Sequence, residues 1–136
     1  MNAMEKVAWT ELVVTVVAFL VVTALTPWLG SAATVGFALL AVMAFGGLFL
    51  RRRGQEIVVD ERDREIERKA KYIGVSAGWM TLLGALIAAS SWSIRAGDHV
   101  VSTALLNWLI WVQFAVVYGT HGLVCVLMYR RQRHAA

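Results

Sequence analysis

One cysteine, one proline and a charged fraction of only 16% set the first limits on this 136-residue chain. Cys125 has no partner within the chain, so the fold cannot rest on an intramolecular disulfide. The sequence also lacks a phosphate-cradling glycine loop, clustered metal ligands, and a serine or cysteine standing with a histidine and a carboxylate at one depth. Enzyme chemistry is therefore left without machinery, and no catalytic residue is expected. Apolar residues make up 59% of the chain and the mean hydropathy is +0.64. No room remains for a separate soluble domain, and residues 1–136 read as one unit.

The few charges are confined to blocks. Residues 51–53, 60–71 and 130–134 alternate with four apolar stretches at about 9–29, 31–50, 73–94 and 104–129. Each stretch is near or above the roughly 20 residues a helix needs to cross about 30 Å of hydrocarbon. The expected fold is all-α: an integral membrane four-helix bundle with a charged segment at 51–72. Residues 12–25 followed by Ser31, Ala32 and Ala33 have the outline of a secretory signal. Lys6 is accompanied there by Glu5 and Glu11, however, so the positive leader of a signal is missing and the first span is read as retained.

Thirteen lysines and arginines give the orientation. Lys6 precedes the first span, eight lie between residues 51 and 71, three lie at 130–133, and only Arg95 falls on the opposite side. By the positive-inside rule both termini and the charged segment face the cytoplasm. Trp9, Tyr72 and Tyr129 mark the inner interface, and Trp28, Trp92 and Trp108 the outer one. The outer connections, 27–31 and 95–103, are short, so the spans pair as two antiparallel hairpins. Arg51, Arg52 and Arg53, with Arg130, Arg131 and Arg133, sit under the headgroups, where anionic lipid is the expected partner and topological anchoring explains them.

Gly54 breaks the chain after Arg53 and 55–59 reads as a connector. Asp60 is an N-cap with Asp63 in an acidic first turn, so the third helix begins below the membrane and extends into the cytoplasm by about three turns. The pairs Asp60/Arg64, Glu65/Lys69 and Glu67/Lys71 stand at helical spacing. Val59, Ile66, Ala70 and Ile73 give this stalk a sparse apolar edge, too short for a coiled coil.

The run Asp60-Glu61-Arg62-Asp63-Arg64-Glu65-Ile66-Glu67-Arg68-Lys69-Ala70, placed between the second and third hydrophobic segments, resembles the signature of a family of small prokaryotic predicted membrane proteins of uncharacterised function. The resemblance implies a four-helix inner-membrane protein, carries a loose association with helix-turn-helix regulators, and supplies no catalytic residue. Eight basic against six acidic residues over 51–71 leave a balance of +2, which argues against a nucleic-acid site. Interleaved arginines compensate the carboxylates and make them poor metal ligands. A mixed-sign run is a solvated helix face or a docking surface for protein; the docking candidates are Asp60, Arg64, Glu65, Arg68 and Lys69.

Within the membrane, the third span gathers Gly74, Ala77, Gly78, Thr81, Ala85 and Ala88 on one stripe, with Gly74 and Gly78 forming a G-x-x-x-G. Such spacing marks a close helix contact, within the bundle or between protomers. The fourth span places Asn107, Phe114, Tyr118, His121 and Cys125 near one direction. His121, about 13 Å along the helix from Arg130, is the one deep ionisable group and belongs to the bundle interior. Glu11, Thr15, Ala18, Val22 and Thr26 share a face of the first span, with Glu11 shallower than His121. Glu11, Asn107, Tyr118 and His121 are the candidate intramembrane polar site. Opposed to one another, Glu11 and His121 form a proton-titrating pair; separately, His121 bonds a helix carbonyl or Thr23 while Glu11 turns to Lys6 or Arg130. Haem needs two axial ligands on facing helices, and His99 and His134 lie outside the spans, so no cofactor is expected.

Two functions follow. The first is a non-catalytic, oligomeric regulatory or accessory subunit that binds a partner through its cytoplasmic charged helix. The second is a small proton-coupled exporter or channel built around Glu11 and His121.

Overall fold

The computed structural model describes residues 3–43, 60–97 and 100–134. The last seven residues of the expected second span, 44–50, the arginines at 51–53, the connector at 55–59 and His99 lie outside the described residues. Within them the chain is helical throughout, as α1 (Ala3–Leu29), a 3₁₀ helix η1 (Gly30–Ala41), α2 (Glu61–Ala96) and α3 (Thr103–His134). Three stretches, Met4–Ala41, Glu61–Ala96 and Thr103–Arg131, are long and apolar enough to cross a membrane. Large apolar side chains cover the outside: Leu20, Ile87 and Ile94 are each more than 60% exposed, as are Trp28 and Trp92. A surface of that kind is stable against hydrocarbon and not against water.

The first stretch reverses within itself. Pro27 in the last turn of α1 is followed by Gly30 at φ +54°, a left-handed value that glycine adopts without steric cost. The chain then runs back along α1, bringing Phe37 edge-on to Phe19 at 5.5 Å and Gly36 against Val22. The returning segment is a 3₁₀ helix rather than the expected α-helix, and its buried residues show the reason. Thr34, Phe37 and Leu40 recur every three residues, with Ala33 and Gly36 beside them, so a three-residue turn aligns all five on the packed side. Thr34 Oγ1 donates to the carbonyl of Ser31 at 3.0 Å, which reinforces the first turn.

Asp60 caps α2 as the sequence implies, its carboxylate accepting from the Glu61 amide at 2.7 Å. The helix runs 36 residues to a left-handed Gly97, whose amide closes the last turn on Ile94 and Ser93. α3 is the axis of the molecule, packing on α2 along one flank and on α1 and η1 along the other. The α2 contact is made by the inner half, where Gly74 and Gly78 are buried on Val117 and His121. The stripe parts from α3 above that point: Thr81 is exposed, Ala85 is half-buried and a side chain at Gly84 would meet nothing within 4 Å. Gly74 and Gly78 are therefore taken up within the chain.

Two apolar clusters result. The inner one joins Ala8, Ile66, Ala70, Cys125, Val126 and Tyr129; the outer one joins Ala18, Val22, Ala33, Phe37, Leu40 and Ala115. Ile66 and Ala70, half of the stalk's apolar edge, are thus spent on the chain's own α3. The stalk does not stand free beneath the bundle but lies alongside the last turns of α3. Tyr129 is buried and donates from its hydroxyl to Asp63 at 2.9 Å instead of marking a lipid interface, and Trp108 packs edge-on to Phe37 at 6.4 Å. Trp9 and Arg130 meet as a cation–π pair at 5.4 Å.

Candidate functional site

A polar layer separates the two apolar clusters. On α1 it begins one turn after Ala8 and ends before Ala18, and on α3 it lies between Ala115 and Cys125. Glycines on α3 bring the helices close enough for its side chains to meet. A Cβ at Gly122 would stand 3.0 Å from the Leu12 amide and 3.1 Å from the Ala8 carbonyl, and one at Gly119 would press on the Thr15 methyl at 3.1 Å. Small residues at such a crossing are what allow two backbones to approach in an apolar medium.

In that layer His121 Nδ1 and Glu11 Oε2 are 2.7 Å apart, the short separation of a charge-assisted hydrogen bond. Both side chains keep about a fifth of their surface, 19% for His121 and 20% for Glu11. The second ring nitrogen, Nε2, has the Cys125 thiol at 3.9 Å. Against the backbone that carries His121 stands Gly74 of α2, where a Cβ would meet the Val117 carbonyl at 2.8 Å and the His121 Cβ at 3.2 Å. Thr15 returns its hydroxyl to the Glu11 carbonyl at 2.8 Å, so the helix turn carrying the carboxylate is closed without competing for it. The alternatives open in the sequence are accounted for: Thr23 bonds the Phe19 carbonyl, and Arg130 lies over Trp9.

Glu11 also lines a cavity of about 410 Å³ bounded by Leu40, Ala41, Met43, Trp111, Phe114 and Tyr118. Of the four candidate residues, Glu11, Tyr118 and His121 therefore come together. Asn107 does not join them: its side-chain amide donates to Thr34 Oγ1 at 2.8 Å, clamping α3 to η1 at the outer end. His121 and Gly74 share a level, and Gly74 is three residues past Lys71, about 4.5 Å of helix. Along α2 the pair thus lies about one turn from the last charge of the stalk, and Glu11 is level with His121 rather than shallower.

The docking candidates remain on the surface. Asp60, Arg64, Glu65 and Arg68 border an open hollow with Glu61 and Arg62, and Lys69 Nζ lies 2.6 Å from Glu65 Oε1. That hydrogen bond, and then the lysine charge, hold the Glu65 carboxyl below its ordinary range. Sequence reasoning missed the buried Asp63 to Tyr129 bond. The available signal was weak, since Asp63 falls three residues before Ile66 and seven before Ala70, on the apolar edge of the stalk. No group of three or more potential metal ligands occurs among the described residues. Comparison with protein-family models, with curated proteins and with solved structures found no match.

Proposed function

We propose that the chain is a four-span inner-membrane protein with cytoplasmic termini that couples the movement of a small solute to protons through Glu11 and His121. The observation carrying this reading is the 2.7 Å contact between the two, placed between apolar clusters and beside a cavity that Glu11 itself lines. Ionisable side chains among membrane helices are costly and mark functional sites, and a carboxylate paired with an imidazole is a group that can hold and release a proton. The four-span topology is supported by the reversal at Gly30: η1 already extends about 24 Å back along α1 over twelve residues at the 3₁₀ rise. Orientation rests on the distribution of lysine and arginine.

A second reading, partner docking by a regulatory or accessory subunit, is favoured by the exposed face of Asp60, Arg64, Glu65, Arg68 and Lys69. One experiment separates the two. Everted vesicles carrying a proton gradient, followed with a pH-sensitive dye, are challenged with sodium, potassium, organic cations and organic anions. Coupling predicts that at least one addition dissipates the gradient, that Glu11→Gln slows the response about tenfold or more, and that changing Arg64, Arg68 and Lys69 together to glutamate leaves it intact. Silence to every addition, with a heterologous subunit seen by native mass spectrometry and lost on charge reversal, would replace transport by docking.

A further inference from the structure

We infer that the cavity beside Glu11 is a binding site for an organic monocation with a bulky aromatic or apolar body. The inference deepens the transport reading by naming its solute class, but the site itself stands on its lining. A volume of about 410 Å³ falls within the range of small-molecule sites, roughly 300–1,000 Å³. Its walls include the aromatic residues Trp111, Phe114 and Tyr118, Met43 and one carboxylate, and none of the described lining residues is lysine or arginine. Aromatic faces attract a cation through the ring quadrupole, the attraction grows when water is excluded, and the carboxylate adds a full opposite charge.

Other ligand classes fit the walls poorly. A sugar needs many hydrogen-bond partners, and among the described lining residues only Glu11, Tyr118 and the Trp111 indole N–H offer polar side-chain atoms. A divalent metal ion needs about six oxygen ligands against the single carboxylate here. An organic anion would face Glu11, whose basic neighbour His121 is already engaged with it at 2.7 Å, and a neutral apolar molecule would cover that carboxylate without offering it a partner.

Proton balance ties this site to His121. With one proton held between them, Glu11 and His121 carry no net charge; without it they carry one negative charge, on Glu11. Entry of a monocation beside Glu11 therefore accompanies departure of one proton from the pair, and charge is conserved at the site. The groups positioned to modulate the exchange are Cys125 on α3 and Tyr118 in the wall. α2 meets this level of α3 through Gly74, which lies against the His121 Cβ and amide, and η1 contributes the apolar Leu40 and Ala41 to the wall.

The test is equilibrium binding of tetraphenylphosphonium to the full chain in detergent, with tetraphenylborate as the probe of equal shape and opposite charge. Saturable binding is expected for the cation and not for the anion. Glu11→Gln should weaken it about tenfold or more, Trp111→Ala should weaken it also, and Glu11→Asp, which keeps the charge, should stay within about threefold. Equal binding of both probes, or of the cation by wild type and Glu11→Gln, would mean partition into apolar surface and would overturn the site. Release of about one proton per bound cation in weakly buffered solution supports the exchange. Binding without release keeps the site and removes proton coupling from Glu11 and His121. A gradient response to some other solute, with no tetraphenylphosphonium binding, removes the site and keeps the coupling.

Discussion

Leucine in place of Gly74 is expected to lower stability by about 1–3 kcal/mol, the usual range for forcing extra carbons into a packed interface. Even the first added carbon, the Cβ, would stand 2.8 Å from the Val117 carbonyl oxygen, 3.2 Å from the His121 Cβ and 3.3 Å from the His121 amide. Two of those three atoms are backbone in the middle of α3, so no rotamer change relieves them. α2 must move away from α3 at that level. Leucine at Gly84 supplies the comparison, because nothing lies within 4 Å of that position and the same side chain simply extends into lipid. That variant should match the wild type within about 0.5 kcal/mol. Thermal unfolding of the two variants in one detergent decides the matter: a stable Gly74 variant beside a weakened Gly84 variant would mean that the two helices pack on a different face.

The same pair of glycines shows how far the amino-acid order speaks for itself. Gly74 and Gly78 announced a close helix contact because close approach is what that spacing is for, and Asp60 announced the start of α2 because capping depends on neighbours in sequence. The partner of the glycines was not legible, since small residues say that something is near without saying what. η1 was hidden for a related reason. Thr34, Phe37 and Leu40 stand three apart, but that period has meaning only once α1 and α3 are known to cover them. Asn107 was grouped with His121 by direction on an ideal helix, yet fourteen residues separate the two by about 21 Å along the axis, and shared direction is not shared depth. Glu11 was expected to lie shallower than His121; the approach of Gly122 to Ala8 and Leu12, which brings the two level, depends on helix packing that the sequence does not state. Glu11 and His121, in contrast, were visible as a pair: two ionisable groups on the inner halves of otherwise apolar helices have few partners besides each other.

Breaking that pair should cost unequal amounts depending on which member is removed. His121→Ala leaves a carboxyl among helices with its counterpart gone. Removing one partner of a buried ion pair commonly costs about 3–5 kcal/mol, because the other charge is left uncompensated. Because Glu11 retains 20% of its surface and faces a cavity, hydration relieves part of this, and a loss of about 2–3 kcal/mol is expected. Glu11→Gln leaves no stranded carboxylate, and the glutamine oxygen still accepts from the imidazole N–H. That variant should lose only about 1 kcal/mol, the worth of one ordinary hydrogen bond. The sign with pH follows from the stranded group. The His121→Ala deficit should shrink as pH falls towards the ordinary carboxyl value, where protonation becomes free, while the Glu11→Gln deficit should show no such recovery. Thermal unfolding of both variants and the wild type across that pH range measures the difference directly. Equal losses that do not vary with pH would mean that Glu11 and His121 do not share a proton and only fill space between the two apolar clusters, and the case for coupling through them would end there.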